Sequence, residues 1–266
     1  MKPAAFEYAR PATVAEALTM LAAAENAMVL AGGQTLGPML NLRLAQPALL
    51  VDITRIGELA AVGEDVDGIA IGAIITHAAI EDGRIKDPAN GFLSRVARGI
   101  AHRAVRTRGT IGGSLAHADP AADWLSCLTA LGAEVIAAGA AGRRVVALAD
   151  FVTGAMQSDL ARAELIVAVR VPKFSGDARF GFHKIGRKRG DFADAIGVAV
   201  HDPERGRYRL VASTAAGAPL LLESTQRPEP RDLARRLLEA GFAPDGIHLN
   251  LAAAALRRAL AAAEAQ

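Results

Sequence analysis

Two short segments with adjacent glycines carry the residue types best suited to ligand chemistry. The first glycine loop reads Ala31-Gly32-Gly33-Gln34-Thr35, and the second glycine loop reads Thr110-Ile111-Gly112-Gly113-Ser114. Glycine tolerates positive φ and leaves space for a ligand, so successive backbone N–H groups can surround an anion. The hydroxyls of Thr35, Thr110 and Ser114 would add donors. Two such loops could clamp the two phosphates of a pyrophosphate from opposite sides; a pair of ordinary tight turns is the alternative.

Other phosphate-binding and nucleophile motifs are absent from the sequence. No Gly-x-Gly-x-x-Gly follows a predicted strand, which excludes the usual dinucleotide fingerprint. Residues 181–188 approach a P-loop spacing, but they end in Arg187-Lys188 where Lys-Ser or Lys-Thr is needed. Residues 112–116 do not match the nucleophile elbow of hydrolases. The glycine loops are therefore the main candidates for a ligand site.

The chain has 266 residues and a single cysteine, Cys127. One thiol cannot form an internal disulfide or a cysteine zinc cage, and it cannot supply the several thiolates that an iron–sulfur cluster usually takes. Cys127 lies in an apolar helical pattern, which is typical of a buried core thiol. Any redox chemistry would therefore depend on an organic cofactor.

Charge and hydropathy exclude further classes of protein. A formal net charge of +2 argues against general nucleic-acid binding, which needs a strong basic excess. No apolar run approaches the ~20 residues of a membrane span, and residues 1–7 lack the apolar stretch of a signal peptide. These features predict a soluble, cytoplasmic protein with no membrane span.

The predicted elements place each glycine loop beside an apolar strand or helix. A capping box at 13–16 begins the first helix, and a buried strand at 27–30 leads into the first loop. Asp119-Pro120 predicts the start of a helix that follows the second loop and ends at Gly132. Between the loops we predict a strand, a hairpin and two helices, at 49–53, 62–74, 76–82 and 93–102.

The remainder of the chain predicts further strands and two final helices. Three strands are predicted at 133–138, 143–148 and 165–171, and 173–177 is typical of a linker. Three more strands and two helices follow, at 180–185, 193–201, 208–215, 231–240 and 251–263, with Asn250 as the cap of the last helix. The sequence therefore predicts an α+β protein with a boundary near residue 173 and a smaller second domain.

Extended by their neighbours, the two glycine loops resemble the paired FAD signatures of the molybdenum-hydroxylase flavoprotein subunits. The first signature covers 31–44, and the second runs from Thr110 through Asp119-Pro120-Ala121-Ala122-Asp123. Residues 184–193 resemble the basic segment of the family's C-terminal domain. In pattern the chain is similar to the medium subunit of aerobic carbon monoxide dehydrogenase and to the FAD parts of xanthine and nicotine dehydrogenases.

This resemblance implies a fold of the PCMH or vanillyl-alcohol-oxidase type. FAD would lie between two α+β subdomains, about 1–55 and 56–173, of an FAD-binding domain that covers 1–173. A C-terminal flavoprotein domain of the carbon monoxide dehydrogenase type, at 174–266, would partly cover the flavin with a small three-stranded sheet and helices.

The resemblance also implies a function. The chain would be the FAD-carrying electron-transfer subunit of a heterotrimeric molybdenum hydroxylase, and the trimer is expected to dimerise. A small subunit with [2Fe–2S] clusters would pass electrons to the FAD, a large subunit would bind molybdopterin, and an external acceptor would take the electrons. The alternatives are a stand-alone flavin-dependent oxidoreductase of the same fold and a flavin-free accessory protein.

The resemblance assigns cofactor contacts to named residues and assigns no catalytic or metal-binding side chain. Asp123 would contact the ribose or adenine, and Lys184 would place a cation near the flavin N1–C2=O end. His77 would approach the cofactor, or it is a plain surface histidine. Asp191 and Phe192 would lie over the isoalloxazine, with Phe192 where many relatives have tyrosine. The pyrophosphate and apolar contacts would come from Ala31, Gly32, Gly33, Gln34, Thr35, Leu36, Thr110, Gly112, Gly113, Ser114, Ile100 and Leu160.

The basic cluster at 183–189 would otherwise be a solvated face or a docking surface for a subunit.

Overall fold

A computed structural model describes residues 2–242 and 245–266 of the chain, so Met1, Ala243 and Pro244 lie outside the described residues. Within the described ranges, no helix has the length and apolar character needed to cross a bilayer. The elements form three main sheets with helices packed between and around them.

A small parallel sheet carries the first glycine loop. Its strands, β1 (Glu7–Ala9), β2 (Ala27–Leu30) and β3 (Leu49–Asp52), lie in the order β1-β3-β2. Helix α1 (Val14–Ala23) begins at the predicted capping box, where Thr13 Oγ1 accepts from the backbone N–H of Glu16. Helix α2 (Leu36–Asn41) directly follows the loop. Because β2 is an edge strand, the loop after it lies at the open side of this sheet.

A five-stranded antiparallel sheet forms the middle of the chain. It has the order β4-β5-β10-β6-β7. The bounds are β4 (Val62–Glu64), β5 (Gly68–Gly72), β6 (Glu134–Gly139), β7 (Gly142–Ala147) and β10 (Leu165–Pro172), and a separate pair consists of β8 (Val152–Gly154) and β9 (Gln157–Ser158). These strands agree with the hairpin predicted at 62–74 and with the three strands predicted after the second loop.

The helices around the second glycine loop differ from the prediction. The structure has α3 (His77–Glu81), α4 (Phe92–Ala97), α5 (Arg103–Arg106), α6 (Ile111–His117), α7 (Asp123–Leu131) and α8 (Leu148–Phe151). The second loop is thus the start of α6, and the helix predicted at 93–102 is shorter than expected. The prediction that a helix starts at Asp119 is wrong, because Asp119 Oδ1 accepts from the N–H of Ala121 in a turn and α7 begins only at Asp123.

A four-stranded antiparallel sheet and two helices complete the chain. The sheet has the order β11 (Arg179–Ile185), β12 (Ala195–Asp202), β13 (Arg207–Thr214) and β14 (Leu220–Ser224), and the helices are α9 (Leu233–Glu239) and α10 (Gly246–Glu264). The expected three-stranded sheet is corrected to four strands. Asp245, not Asn250, caps α10, since its carboxylate accepts from the N–H of His248.

Helix α7 packs between this last sheet and the rest of the chain. Every residue of α7 is buried, including Cys127. Ser126 Oγ and Ser213 Oγ on β13 lie 2.7 Å apart, and Arg209 of β13 donates to the carbonyls of Ala130 and Thr129 at 2.8 and 3.1 Å. Helix α10 covers the opposite face of the sheet. The first residue of α7, Asp123, also forms an ion pair with Lys184 of β11. Both ends of α7 therefore contact the sheet directly.

Candidate functional site

A cavity of about 640 Å³ lies where the two glycine loops, α7 and the loop after β11 meet. All residues predicted to contact the cofactor line it, with Lys184 as the exception. The fold thus brings together residues separated by more than a hundred positions in the chain. Lining residues that the sequence did not indicate include Met28 and Val29 of β2, Gly109, His117, Trp124 and Ile166. The sequence predicted the strand at 27–30 but not its place at the edge of the sheet, where Met28 and Val29 reach the cavity.

The first glycine loop has free backbone donors. The N–H groups of residues 32–35 donate to no group among the described residues, and Thr35 makes no side-chain cap for α2. Gly33 has a φ of +70°, a conformation that favours glycine. Free N–H groups at the beginning of a helix, where the dipole is positive, form a favourable position for an anion.

Gly32 and Gly112 each lie directly against the backbone of a distant segment, where a side chain would not fit. A Cβ on Gly32 would collide with the carbonyl oxygen of Arg108, just before the second loop. A Cβ on Gly112 would lie 2.7 Å from the carbonyl oxygen of Ala73. Both glycines also line the cavity, and each allows two backbones to touch.

The backbone N–H groups of the second glycine loop already donate hydrogen bonds to acceptors within the chain. The N–H groups of Ile111 and Gly112 donate to the carbonyls of Ile75 and Ala73 at 3.0 and 2.9 Å. The N–H of Gly113 donates to Thr110 Oγ1 at 3.1 Å, which caps α6. The N–H of Ser114 donates to the Thr110 carbonyl at 3.0 Å. This loop can therefore offer the hydroxyl protons of Thr110 and Ser114 to a ligand, whereas its N–H groups from 111 to 114 are engaged.

Asp123 and Lys184 form a buried ion pair at the edge of the cavity. Lys184 Nζ lies 2.9 Å from Asp123 Oδ1 and donates to Oδ2 at 3.1 Å. Burial raises the pKa of the Asp123 carboxyl above its usual value, and the nearby Lys184 ammonium offsets part of this rise. Oδ1 of Asp123 accepts no hydrogen bond of good geometry among the described residues, and its neighbouring charge is the Lys184 ammonium.

Because Asp123 and Lys184 lie 2.9 Å apart, they would contact neighbouring parts of the cofactor. The roles predicted for them, Asp123 at the ribose or adenine and Lys184 at the flavin, stay predictions. Asp119 lies outside α7, so it shares no helix face with Asp123.

His77 lies in the wall of the cavity and is buried, with 6% of its surface exposed. The alternative of a plain surface histidine is therefore wrong. Trp124 Nε1 donates to His77 Nδ1 at 3.0 Å. Burial, assisted by the positive charge of Arg106, lowers the pKa of His77 from 6.5 to about 4. The imidazole is neutral at physiological pH.

Three successive carbonyls, those of 99–101, are held by two cations from distant parts of the chain. Lys184 Nζ donates to the Gly99 carbonyl at 3.2 Å, and Arg106 Nη1 donates to those of Ile100 and Ala101 at 2.8 and 3.0 Å. Arg106 is itself buried and binds both carboxylate oxygens of Glu81 at 2.7 and 3.0 Å. This segment is a fixed wall of the cavity, and Ile100 and Ala101 line it.

The loop after β11 rests on that wall. A Cβ on Gly190 would lie 2.8 Å from the Ala101 carbonyl oxygen. Asp191 and Phe192 line the cavity, and Phe192 is 67% exposed. Arg187–Arg189 are exposed and form no ion pair with the described residues. A solvated face accounts for these cations within the chain, and their use in docking stays a prediction.

The lining fits FAD. The volume lies within the ~300–1,000 Å³ typical of small-molecule sites. The free N–H groups of 32–35 suit a pyrophosphate, and Ile100 and Leu160 supply apolar surface for a ring.

Comparison with known proteins agrees with this geometry. A family model described as the FAD binding domain in molybdopterin dehydrogenase matches residues 4–174. The caffeine dehydrogenase subunit beta of Pseudomonas sp. (strain CBB1) is 34% identical over 88% of this chain and 82% of its own length. The carbon monoxide dehydrogenase medium chain of Afipia carboxidovorans is 32% identical over 100% and 99%.

A solved structure has the same fold over its whole length. The chain superposes with a TM-score of 0.91 on the carbon monoxide dehydrogenase from Hydrogenophaga pseudoflava that lacks the Mo-pyranopterin moiety, at 32% identity, covering 100% of this chain and 99% of the other. The family match over more than half of the chain, together with this superposition, shows that the protein belongs to the FAD-binding medium subunits of molybdenum-hydroxylase-type dehydrogenases and is an oxidoreductase subunit with FAD as its cofactor.

Proposed function

We propose that this chain carries FAD as the electron-transfer subunit of a heterotrimeric molybdenum hydroxylase. A small [2Fe–2S] subunit would deliver electrons to the FAD, an external acceptor would remove them, and a molybdopterin-binding large subunit would act on the substrate. The single observation that carries the proposal is that the chain has a site for an organic cofactor but lacks the thiolates that an iron–sulfur cluster needs. It builds a large cofactor cavity, and its one thiol, Cys127, is fully buried in α7. Any iron–sulfur cluster that delivers electrons to the FAD would therefore lie on a partner.

The residues of the first loop would hold the pyrophosphate. Free N–H groups at 32–35 would donate to phosphate oxygens, and the hydroxyls of Thr110 and Ser114 would add donors from the other side. Such contacts stabilise an anion without a metal or a lysine. When bound, FAD supplies the electron chemistry, and the protein positions and tunes it.

We assign the ion pair of Asp123 and Lys184 to the flavin end of the cofactor. Lys184 also bonds to the 99–101 wall, on which the Gly190–Phe192 loop packs. Asp191 and Phe192 would cover the isoalloxazine from that loop. A cation close to the ring would stabilise the negative charge that builds up on reduction.

The arrangement of domains follows from the same assignment. The family model ends at residue 174, which supports an FAD-binding domain at 1–173 and a C-terminal domain at 174–266. The parallel and five-stranded sheets would be the two subdomains, about 1–55 and 56–173, of a PCMH or vanillyl-alcohol-oxidase fold. In this division the two glycine loops beside the cavity would belong to different subdomains. A dimer of heterotrimers and a cytoplasmic location stay predictions from the sequence.

Purification of the tagged chain from its native host tests the proposal. We expect one FAD per chain, recognised by the visible absorbance of oxidised flavin, together with co-purifying subunits that contain molybdenum and iron. Flavin without such subunits would indicate a stand-alone flavoprotein. A chain without flavin would indicate an accessory protein, and either result contradicts the proposal. A Thr35→Asp variant is the matched control, because it should keep the partners and lose the flavin.

A further inference from the structure

His77 and Trp124 form a buried pair in the wall of the cavity. Trp124 is 1% exposed, and its Nε1 lies 3.0 Å from His77 Nδ1. An indole N–H can only donate, so Nδ1 must be the acceptor and carries no proton. The bond to Trp124 thereby selects the tautomer of the neutral imidazole, with its proton on Nε2.

The surroundings of His77 favour the neutral ring. The ring is buried, the nearby charged group is the Arg106 guanidinium, and no carboxylate among the described residues bonds to the imidazole. Burial and a neighbouring cation both disfavour imidazolium. His77 therefore presents a neutral N–H donor.

The protonated side of the ring lies beside the second glycine loop. A Cβ on Gly109 would lie 3.0 Å from His77 Nε2, so the ring packs directly on the backbone that precedes Thr110. The backbone N–H of His77 donates to the Gly109 carbonyl at 2.9 Å, and Thr76 pairs with Thr110 as an isolated bridge. Nε2 has no hydrogen-bond partner among the described residues, and His77 and Gly109 both line the cavity.

We propose that His77 is the N–H donor of the second glycine loop: Trp124 holds its proton on Nε2, and Nε2–H donates to an oxygen of the bound FAD. The proposal rests on the proposed function, because FAD is the ligand. It explains how the second side of the cavity can bind an oxygen although the N–H groups of 111–114 are engaged. His77 would touch the cofactor, and Trp124 would be a positioning residue that acts through it.

The first test is NMR of the wild-type protein labelled with 15N-histidine at pH 7. Without FAD, we expect long-range 1H–15N spectra to show His77 as the Nε2–H tautomer. Addition of FAD should shift the Nε2 proton downfield and slow its exchange with water. An Nδ1–H tautomer, or FAD binding that leaves the His77 signals unchanged, would overturn this proposal alone. Failure of the wild type to bind FAD would instead overturn the proposed function.

Two isosteric variants separate a ligand contact from a structural contact. The amide nitrogen of His77→Gln can occupy the place of Nε2, whereas the oxygen of His77→Asn can occupy the place of Nδ1 and keep the Trp124 bond. We expect His77→Gln to bind FAD within about 3-fold of the wild type and His77→Asn to bind about 10-fold more weakly, as for one lost hydrogen bond. Equal or tighter binding by His77→Asn would show that the Trp124 bond matters and the Nε2 donor does not.

Trp124→Phe tests the positioning role. Phenylalanine keeps a smaller aromatic ring in the core and removes the N–H that selects the tautomer, so the tautomer seen by NMR, and not stability, is the readout. We expect His77 to become a mixture of tautomers in the NMR spectrum and FAD to bind several-fold more weakly. A pure Nε2–H tautomer in this variant would remove Trp124 from the account.

Discussion

The two glycine loops have similar sequences and opposite hydrogen-bonding states. In the first loop the N–H groups of 32–35 are free among the described residues, whereas in the second loop those of 111–114 all have partners. The first follows an edge strand and precedes a helix without a side-chain cap. The second is a capped helix start that is bonded to 73–77. A Gly-Gly motif therefore does not by itself predict an anion site, because the neighbouring backbone decides whether the donors are available.

The largest expected effect is a loss of FAD affinity on substitution of Thr35 in the first loop. We expect Thr35→Asp to weaken FAD binding by about 100-fold or more, because a carboxylate would face the phosphates among the free N–H groups, and like charges at ~4 Å cost roughly 1–4 kcal/mol. Thr35→Asn has the same shape without the charge and should bind within about 3-fold. Isothermal titration with FAD measures both. Similar affinities in the two variants would show that the anion binds elsewhere.

The second-largest effect is on the pH dependence of stability and concerns His77, the first residue of α3, whose backbone N–H bonds to Gly109 before the second loop. Its pKa is lowered from 6.5 to about 4 in the folded protein. The unfolded chain therefore takes up a proton first as the pH falls, and the free energy of unfolding decreases between pH 6.5 and 4. At pH 4.5 this loss is about 2 kcal/mol relative to pH 7.

Urea unfolding of the wild type and of His77→Gln at pH 7 and pH 4.5 checks this expectation. The variant cannot titrate at this position, so its stability should fall by about 2 kcal/mol less. Equal losses in both proteins would mean that His77 is accessible to protons in the folded state.

A smaller effect is expected at Thr110 in the second loop. Thr110→Val removes the hydroxyl that accepts from the Gly113 N–H, and loss of such a cap costs about 1 kcal/mol. Thr110→Ser keeps the hydroxyl and should restore most of the stability. Thermal unfolding without FAD makes the comparison. Because Thr35→Asn should leave stability unchanged, a stability loss confined to Thr110→Val would sharpen the difference between the loops.

The smallest effect is expected at Ser114. Its hydroxyl makes no hydrogen bond among the described residues and lies in the cavity wall. Ser114→Ala should weaken FAD binding by about 3- to 10-fold through the loss of one neutral donor, with stability unchanged. A loss as large as that of Thr35→Asp would contradict the different roles of the loops.

Local patterns predicted most elements, and the family resemblance named part of the lining of the cavity. The capping box at Thr13, the strand before the first loop and the helix after Thr76 all form as their residues indicate. Sixteen of the seventeen cofactor residues expected from the family resemblance line the cavity, because motif residues keep their place in a common fold.

Non-local contacts set the limits of the sequence analysis. The bond of Trp124 to His77 and the ion pair of Asp123 with Lys184 join residues 47 and 61 positions apart. Strand β14 was missed because its apolar run lacks alternation and follows Pro219. Asp119-Pro120 has the residue types of a helix start, but the left-handed Ala118 before it, with φ of +52°, turns the chain before α7 begins. Such effects appear only when distant segments meet.

Amide hydrogen exchange in the wild-type chain, with and without FAD, distinguishes the free N–H groups of the first loop from the engaged N–H groups of the second. If the first loop holds the phosphates and the second is engaged within the fold, FAD should slow exchange at 32–35 by about 10-fold or more. The amides of 111–114 should exchange slowly in both states, since their hydrogen bonds exist before the ligand binds. Rapid exchange at 111–114 without FAD, followed by protection there and not at 32–35, would contradict the account.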